Sequence, residues 1–143
     1  MLEAVSIATG ETVNLAMLRG QTVVQVAQID SRFLLGTTDW VNVEVPPHCS
    51  ALGKVFYAEG VVPIPSGRME RRTPKTMTSP GAFRSQLERV RAAGYAEALG
   101  ELELGLDAVA APVRDASGHL VAALGISGPS ADWPPSFRSF VRC

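Results

Sequence analysis

Two apolar runs joined by one turn constrain this chain more than anything else in it. Residues 106–113 read LDAVAAPV, residues 119–126 read HLVAALGI, and Asp115-Ala116-Ser117-Gly118 lies between them. A strand with one face in water alternates apolar and polar residues; these runs are apolar at nearly every position. They read as central strands covered on both faces. The Asp/Ser/Gly cluster supplies a four-residue hairpin turn.

The rest of the chain fits around that hairpin. In residues 12–18, Val13, Leu15 and Met17 alternate with Thr12, Asn14 and Ala16, as a strand requires. Arg19-Gly20-Gln21 is a turn, and residues 22–29 (TVVQVAQI) form the returning strand. A third strand is expected over Phe33–Thr38. Pro46-Pro47 leads into a helix over residues 49–58 (CSALGKVFYA), with His48 or Ser50 near its N-terminus. Ser79-Pro80 starts a second helix that places Phe83, Leu87 and Val90 on one stripe and stops at Gly94. A strand follows from Tyr95, and Ser127-Gly128-Pro129 is expected to end the sheet. Leu2–Thr9 and Asp132–Cys143 read as the tail of one helix and the first turns of another. Residues 60–78 are proline-rich and carry Arg68, Arg71, Arg72 and Lys75, which reads either as a mobile surface excursion or as a basic docking patch. The order gives an α+β fold, an antiparallel sheet of about six strands with flanking helices, as in GAF and PAS sensor domains.

Composition removes several function classes. The 143 residues suit one domain, and 13 Lys and Arg against 14 Asp and Glu leave no basic excess for a phosphate backbone. No apolar run is long enough for a transmembrane helix, and the start lacks a basic n-region, so a cytoplasmic location is expected. Cys49 and Cys143 are too far apart for a disulfide framework or zinc pair. Phosphate loops and paired catalytic carboxylates are absent, so no cofactor, metal or catalytic residue is expected. Adjacent His48 and Cys49 suggest thiol chemistry, but neighbours on a helix point about 100° apart.

Six segments in register carry a resemblance: GETVNL (10–15), PPHCSALGKV (46–55), RTPKTMT (72–78), RAAGYA (91–96), ELELG (101–105) and DAVAAPVRDASGHLVAALGISGP (107–129). Together they resemble the effector-binding domain of IclR-type bacterial transcriptional regulators, and they cover nearly the whole chain. The resemblance implies a GAF/profilin-like domain that takes a small organic effector. It also implies a homodimer or homotetramer that meets DNA only through an N-terminal winged helix-turn-helix domain, with Leu2–Thr9 the end of the linker helix. By the same resemblance the effector lies between the sheet and the segment from His48 to Lys54. Ser50, Ala51 and Leu52 are its helix-side contacts; Leu35, Thr37, Val45, Ala98, Leu106, Ala108, Gly125 and Ser127 are its sheet-side contacts.

Departures from the family pattern shape the expected ligand. Ala98 stands where relatives often have Asp, Ala108 where many have Cys or Ser, and Gly125 where many have Ser. Small apolar residues replace polar or bulkier ones, and the freed volume and apolar wall favour a larger, aromatic or otherwise apolar carboxylate over a small hydrophilic keto acid. Asn42 stands where Gly is usual, and the connection from Lys54 to Arg72 is short for the helix normally found there. Glu101 is either a hydrogen-bonding acid at the pocket mouth or a solvated strand-edge carboxylate. Lys54 is either a ligand contact or a surface lysine. Two other classes compete: a GAF-like dimerisation module without ligand, and a cysteine-based GAF-fold enzyme.

Overall fold

The computed structural model describes residue 4 and residues 11–29 and 47–130. In chain order these form β1 (Thr12–Arg19), β2 (Thr22–Ile29), α1 (Ala51–Ala58), α2 (Pro80–Ala93), β3 (Ala96–Leu99), β4 (Leu106–Arg114) and β5 (Leu120–Pro129). The strands make one sheet in the order β2-β1-β5-β4-β3, with every pair antiparallel. The strand expected over Phe33–Thr38 lies outside the described residues, which hold five strands.

The two apolar runs become β4 and β5, interior to the sheet. Val109 and Ile126 are buried on one face, Ala110 and Ala123 on the other. Their turn is held by Asp115, whose Oδ1 accepts from the backbone of Ser117 and His119. Gly118 closes it at φ 86°, where a side chain would be strained. β5 runs on through Ser127, Gly128 and Pro129, which remain paired with β4. Sequence chemistry marks a stop there, but both residues flanking Gly128 retain cross-strand partners.

Both helices pack on one side. α1 rests on β3, β4 and β5, and α2 packs on α1. Ser50, not His48, is the N-cap of α1; its Oγ accepts from Gly53 N at 3.0 Å. Gly53 is dictated by contact, because a Cβ there would overlap the Pro47 backbone. In α2, Phe83 and Leu87 are fully buried, and Phe83 meets Tyr57 edge-on with ring centroids 5.1 Å apart. Gly94 ends α2 in the left-handed conformation and donates to Val90 O.

Residues 60–78 contain no helix or strand, but they are not a mobile excursion. Val62 and Met69 enter the core. Thr73 Oγ1 donates to Gly100 O at 2.7 Å, and Thr76 Oγ1 donates to Glu101 O at 2.6 Å. Thr76 Oγ1 also accepts from the backbone N–H groups of Arg72 and Thr73. The RTPKTMT segment thus fastens the β3–β4 loop to the body of the domain.

Candidate functional site

Opposed residues of antiparallel strands point to the same face. The register therefore assembles two rows across the α1 side of the sheet. One runs Ala96, Ala110, Gly125, Asn14; the other runs Ala98, Ala108, Ser127, Thr12. Leu106, two residues before Ala108, continues the same face opposite Pro129.

The first turn of α1 lies over Gly125. A Cβ on Gly125 would sit 2.9 Å from Leu52 Cδ2 and 3.2 Å from Leu52 Cγ. At the other end, Glu59 caps α1 and its carboxylate pairs with Arg114, with 2.9 Å between Nη1 and Oε2. The helix therefore runs along β4 from the Gly125 row to the Arg114 end. Its N-terminus faces the stretch of sheet holding Leu106, Ala108 and Ser127. Those three are only half-buried, whereas Ala51, Leu52, Ala98 and Gly125 are buried. The amides of the first turn have no intrahelical acceptor and carry the positive end of the helix dipole. The result is an apolar floor of small side chains facing a positive helix terminus.

The structure thus brings together Ser50, Ala51, Leu52, Ala98, Leu106, Ala108, Gly125 and Ser127. Leu35, Thr37, Val45 and Asn42 lie outside the described residues. The volume released by Gly125 is filled by Leu52 rather than left open, which corrects the expectation that this position enlarges the cavity.

Neither reading of Lys54 holds. Its side chain is 0% exposed, and Nζ donates to Glu101 Oε2 and to Glu97 O, each at 2.7 Å. Burial pulls the lysine down from the ordinary ammonium range, and the Glu101 carboxylate opposes that pull. Glu101 is itself buried, and it lies in the β3–β4 loop rather than on a strand edge. The pair is an internal strut from α1 to the stapled loop.

Cys49 is fully buried, and burial pushes its thiol up to about 11, against the opposing charge of Arg72. His48 Nε2 lies 2.6 Å from Glu70 O, so the ring is engaged elsewhere. A buried neutral thiol is inert as a nucleophile.

Sequence reasoning missed the polar side of the floor. In β1 the residues facing α1 are Thr12, Asn14 and Ala16, all buried, while Met17 on the other face is 42% exposed. Buried Gln25 of β2 lies opposite Ala16. Alternation alone does not say which face is inward; the signal available was the unbroken apolar run Leu15-Ala16-Met17-Leu18 after Asn14, which places apolar residues on both faces.

A family model described as bacterial transcriptional regulator IclR C-terminal matches residues 1–133. The chain is 34% identical over 134 residues to the HTH-type transcriptional regulator BhcR of Paracoccus denitrificans, covering 85% of this chain and 46% of that protein. It spans about half the length of the curated relatives it matches. Among solved structures, the C-terminal domain of the Escherichia coli transcriptional regulator KdgR superposes with a TM-score of 0.79 at 30% identity, over 99% of this chain and 85% of that one. An IclR homologue from Microbacterium hydrocarbonoxydans, complexed with 4-hydroxybenzoate, gives 0.83 at 25% identity over 99% of this chain and 60% of that one. The chain belongs to the family of IclR C-terminal domains of bacterial transcriptional regulators.

Proposed function

We propose that this domain is the effector sensor of a cytoplasmic transcriptional regulator. Its effector is an aromatic or apolar carboxylate, and binding adjusts how a homodimer or homotetramer holds DNA through a separate DNA-binding domain. The observation that carries this reading is the half-buried patch of Leu106, Ala108 and Ser127 lying before the positive end of α1. An apolar body is accommodated by the alanine floor, and a carboxylate is favoured at the helix terminus. The Microbacterium neighbour complexed with 4-hydroxybenzoate supports that ligand class. The inert Cys49 thiol argues against cysteine-based chemistry in the same fold.

Calorimetry and thermal melting with 4-hydroxybenzoate, benzoate, glyoxylate and pyruvate test the reading. A ligand at 100 times its dissociation constant adds about 2.7 kcal/mol of stability. The aromatic acids are expected to stabilise the domain. Tight binding of glyoxylate or pyruvate with no response to the aromatic acids overturns the ligand class, and no stabilisation by any compound of a wider metabolite set favours a dimerisation module.

A further inference from the structure

We propose that Asn14, seconded by Gln25, is an effector-binding residue that accepts a hydrogen bond from a donor substituent on the ligand, a hydroxyl or an amide. This rests on the sensor reading above and adds a specificity determinant on strands β1 and β2.

Two carboxamides on one face of adjacent strands each have an oxygen without a partner. Asn14 Oδ1 and Gln25 Oε1 are both buried, and neither makes a hydrogen bond. The residues are more than nine-tenths buried, so bulk water does not satisfy them. An orphaned buried acceptor destabilises the fold, and two on one patch call for a shared explanation. A bulge puts them on one face: Asn14 opposes Gln28 and Ala16 opposes Gln25, so Val26 is the extra residue in β2. Without the bulge, Gln25 and Gln28 would point to opposite faces.

Their position relative to the site follows from register. Asn14 lies directly opposite Gly125, the residue under Leu52, and diagonally beside Ser127. Directly opposed residues have Cα atoms about 4.5–5.5 Å apart. α1 rests on β3, β4 and β5, so β1 carries the same floor past the flank of the helix. The floor is therefore amphipathic. Ala96, Ala98, Ala108 and Ala110 form one side, and the carboxamides of Asn14 and Gln25 form the other. An acid lying on the alanines with its carboxylate at the start of α1 would reach Asn14 only through a substituent on its ring. The oxygens are acceptors, so that substituent must donate.

The probes are 4-hydroxybenzoate and benzoate, which differ in one donor. Binding is measured by calorimetry on the parent, Asn14→Leu and Gln25→Leu, with melting temperatures taken without ligand. The parent should prefer 4-hydroxybenzoate by about tenfold, as one well-made hydrogen bond provides. Asn14→Leu should bind the two acids alike, and Gln25→Leu should show a reduced preference. Neither variant should melt below the parent, since each removes an unsatisfied group. Equal affinity of the parent for both acids overturns this inference and leaves the sensor reading standing. So does an unchanged preference in both variants, or a lower melting temperature in both, which would mark the carboxamides as structural. A parent stabilised by neither acid overturns the aromatic-carboxylate reading and this inference with it.

Discussion

Replacing Gly125 by Ala tests the contact that places α1 on the sheet. Gly125 has no positive φ, so alanine is compatible with its backbone. Restricting the unfolded chain would then stabilise by about 0.4–1 kcal/mol. Against this, the new methyl would lie 2.9 Å from Leu52 Cδ2, closer than real Cβ contacts come, with Val109 O at 3.4 Å beneath it. Overpacking of this kind costs about 1–3 kcal/mol. The net expectation is a loss of about 0.5–2 kcal/mol by urea denaturation. Leu52→Ala alone should cost about 2–5 kcal/mol through the cavity it leaves. Combined, the two changes relieve each other: the methyl added to Gly125 enters space vacated by Leu52, and the double variant should be more stable than additivity predicts by at least about 0.5 kcal/mol. Additive effects, or a Gly125→Ala protein more stable than the parent, would show that Leu52 does not fill the place of the missing side chain.

Three further outcomes follow from buried polar groups. Glu101→Gln or Lys54→Met leaves one member of a buried pair alone and should cost about 3–5 kcal/mol, whereas the double change Lys54→Met/Glu101→Leu should cost much less; a double variant as unstable as the sum would refute the strut. Thr76→Val removes an acceptor for two backbone N–H groups and a donor to Glu101 O, so hydrogen exchange should accelerate across residues 72–76 and 100–101 ahead of the sheet. The Cys49 thiol titrates near 11 folded against 9.0 in its ordinary state, so its contribution is whole below pH 9 and is lost as pH rises to about 11. The parent should lose up to about 2–3 kcal/mol more than Cys49→Ala across that window, and equal pH profiles of the two proteins would refute the burial of the thiol.

The secondary structure was largely legible because its signals are local. The turn Asp115–Gly118, the Ser50 and Gly94 helix boundaries and the apolar runs of β4 and β5 each follow from the residues on the spot. What was hidden depends on distant partners. Nothing around Lys54 says that Glu101 neutralises it, because the two come together only when α1 lies beside the β3–β4 loop. The threonines of RTPKTMT look like loop residues until Gly100 and Glu101 supply their acceptors. Glycine at 125 looked like spare volume; whether a missing side chain leaves a hole depends on its neighbour, and Leu52 closes this one. In β1, alternation identified a strand without saying which face is inward. The bulge at Val26 then set the phase of β2 by a register shift that composition does not encode.

The attachments of α1 bear on how a ligand would act there. The helix is fixed at its start by the Ser50 cap and by the Pro47–Gly53 contact, in its middle by Lys54 to Glu97 and Glu101, and at its end by Glu59 to Arg114. Its outer side is held by Phe83 against Tyr57. Large displacement of the helix would break a buried ion pair and open a packed core, both costly. A ligand at its N-terminus therefore meets a preformed site, and little of its binding energy goes into ordering the helix. At that end Leu52 sets a flexible side chain against a bare glycine, so local adjustment to ligand shape falls on Leu52. Gly125→Ala should then change the relative affinity for ligands of different width more than it changes the affinity for any narrow one. Uniform weakening across such a series would instead mean that the whole helix moves.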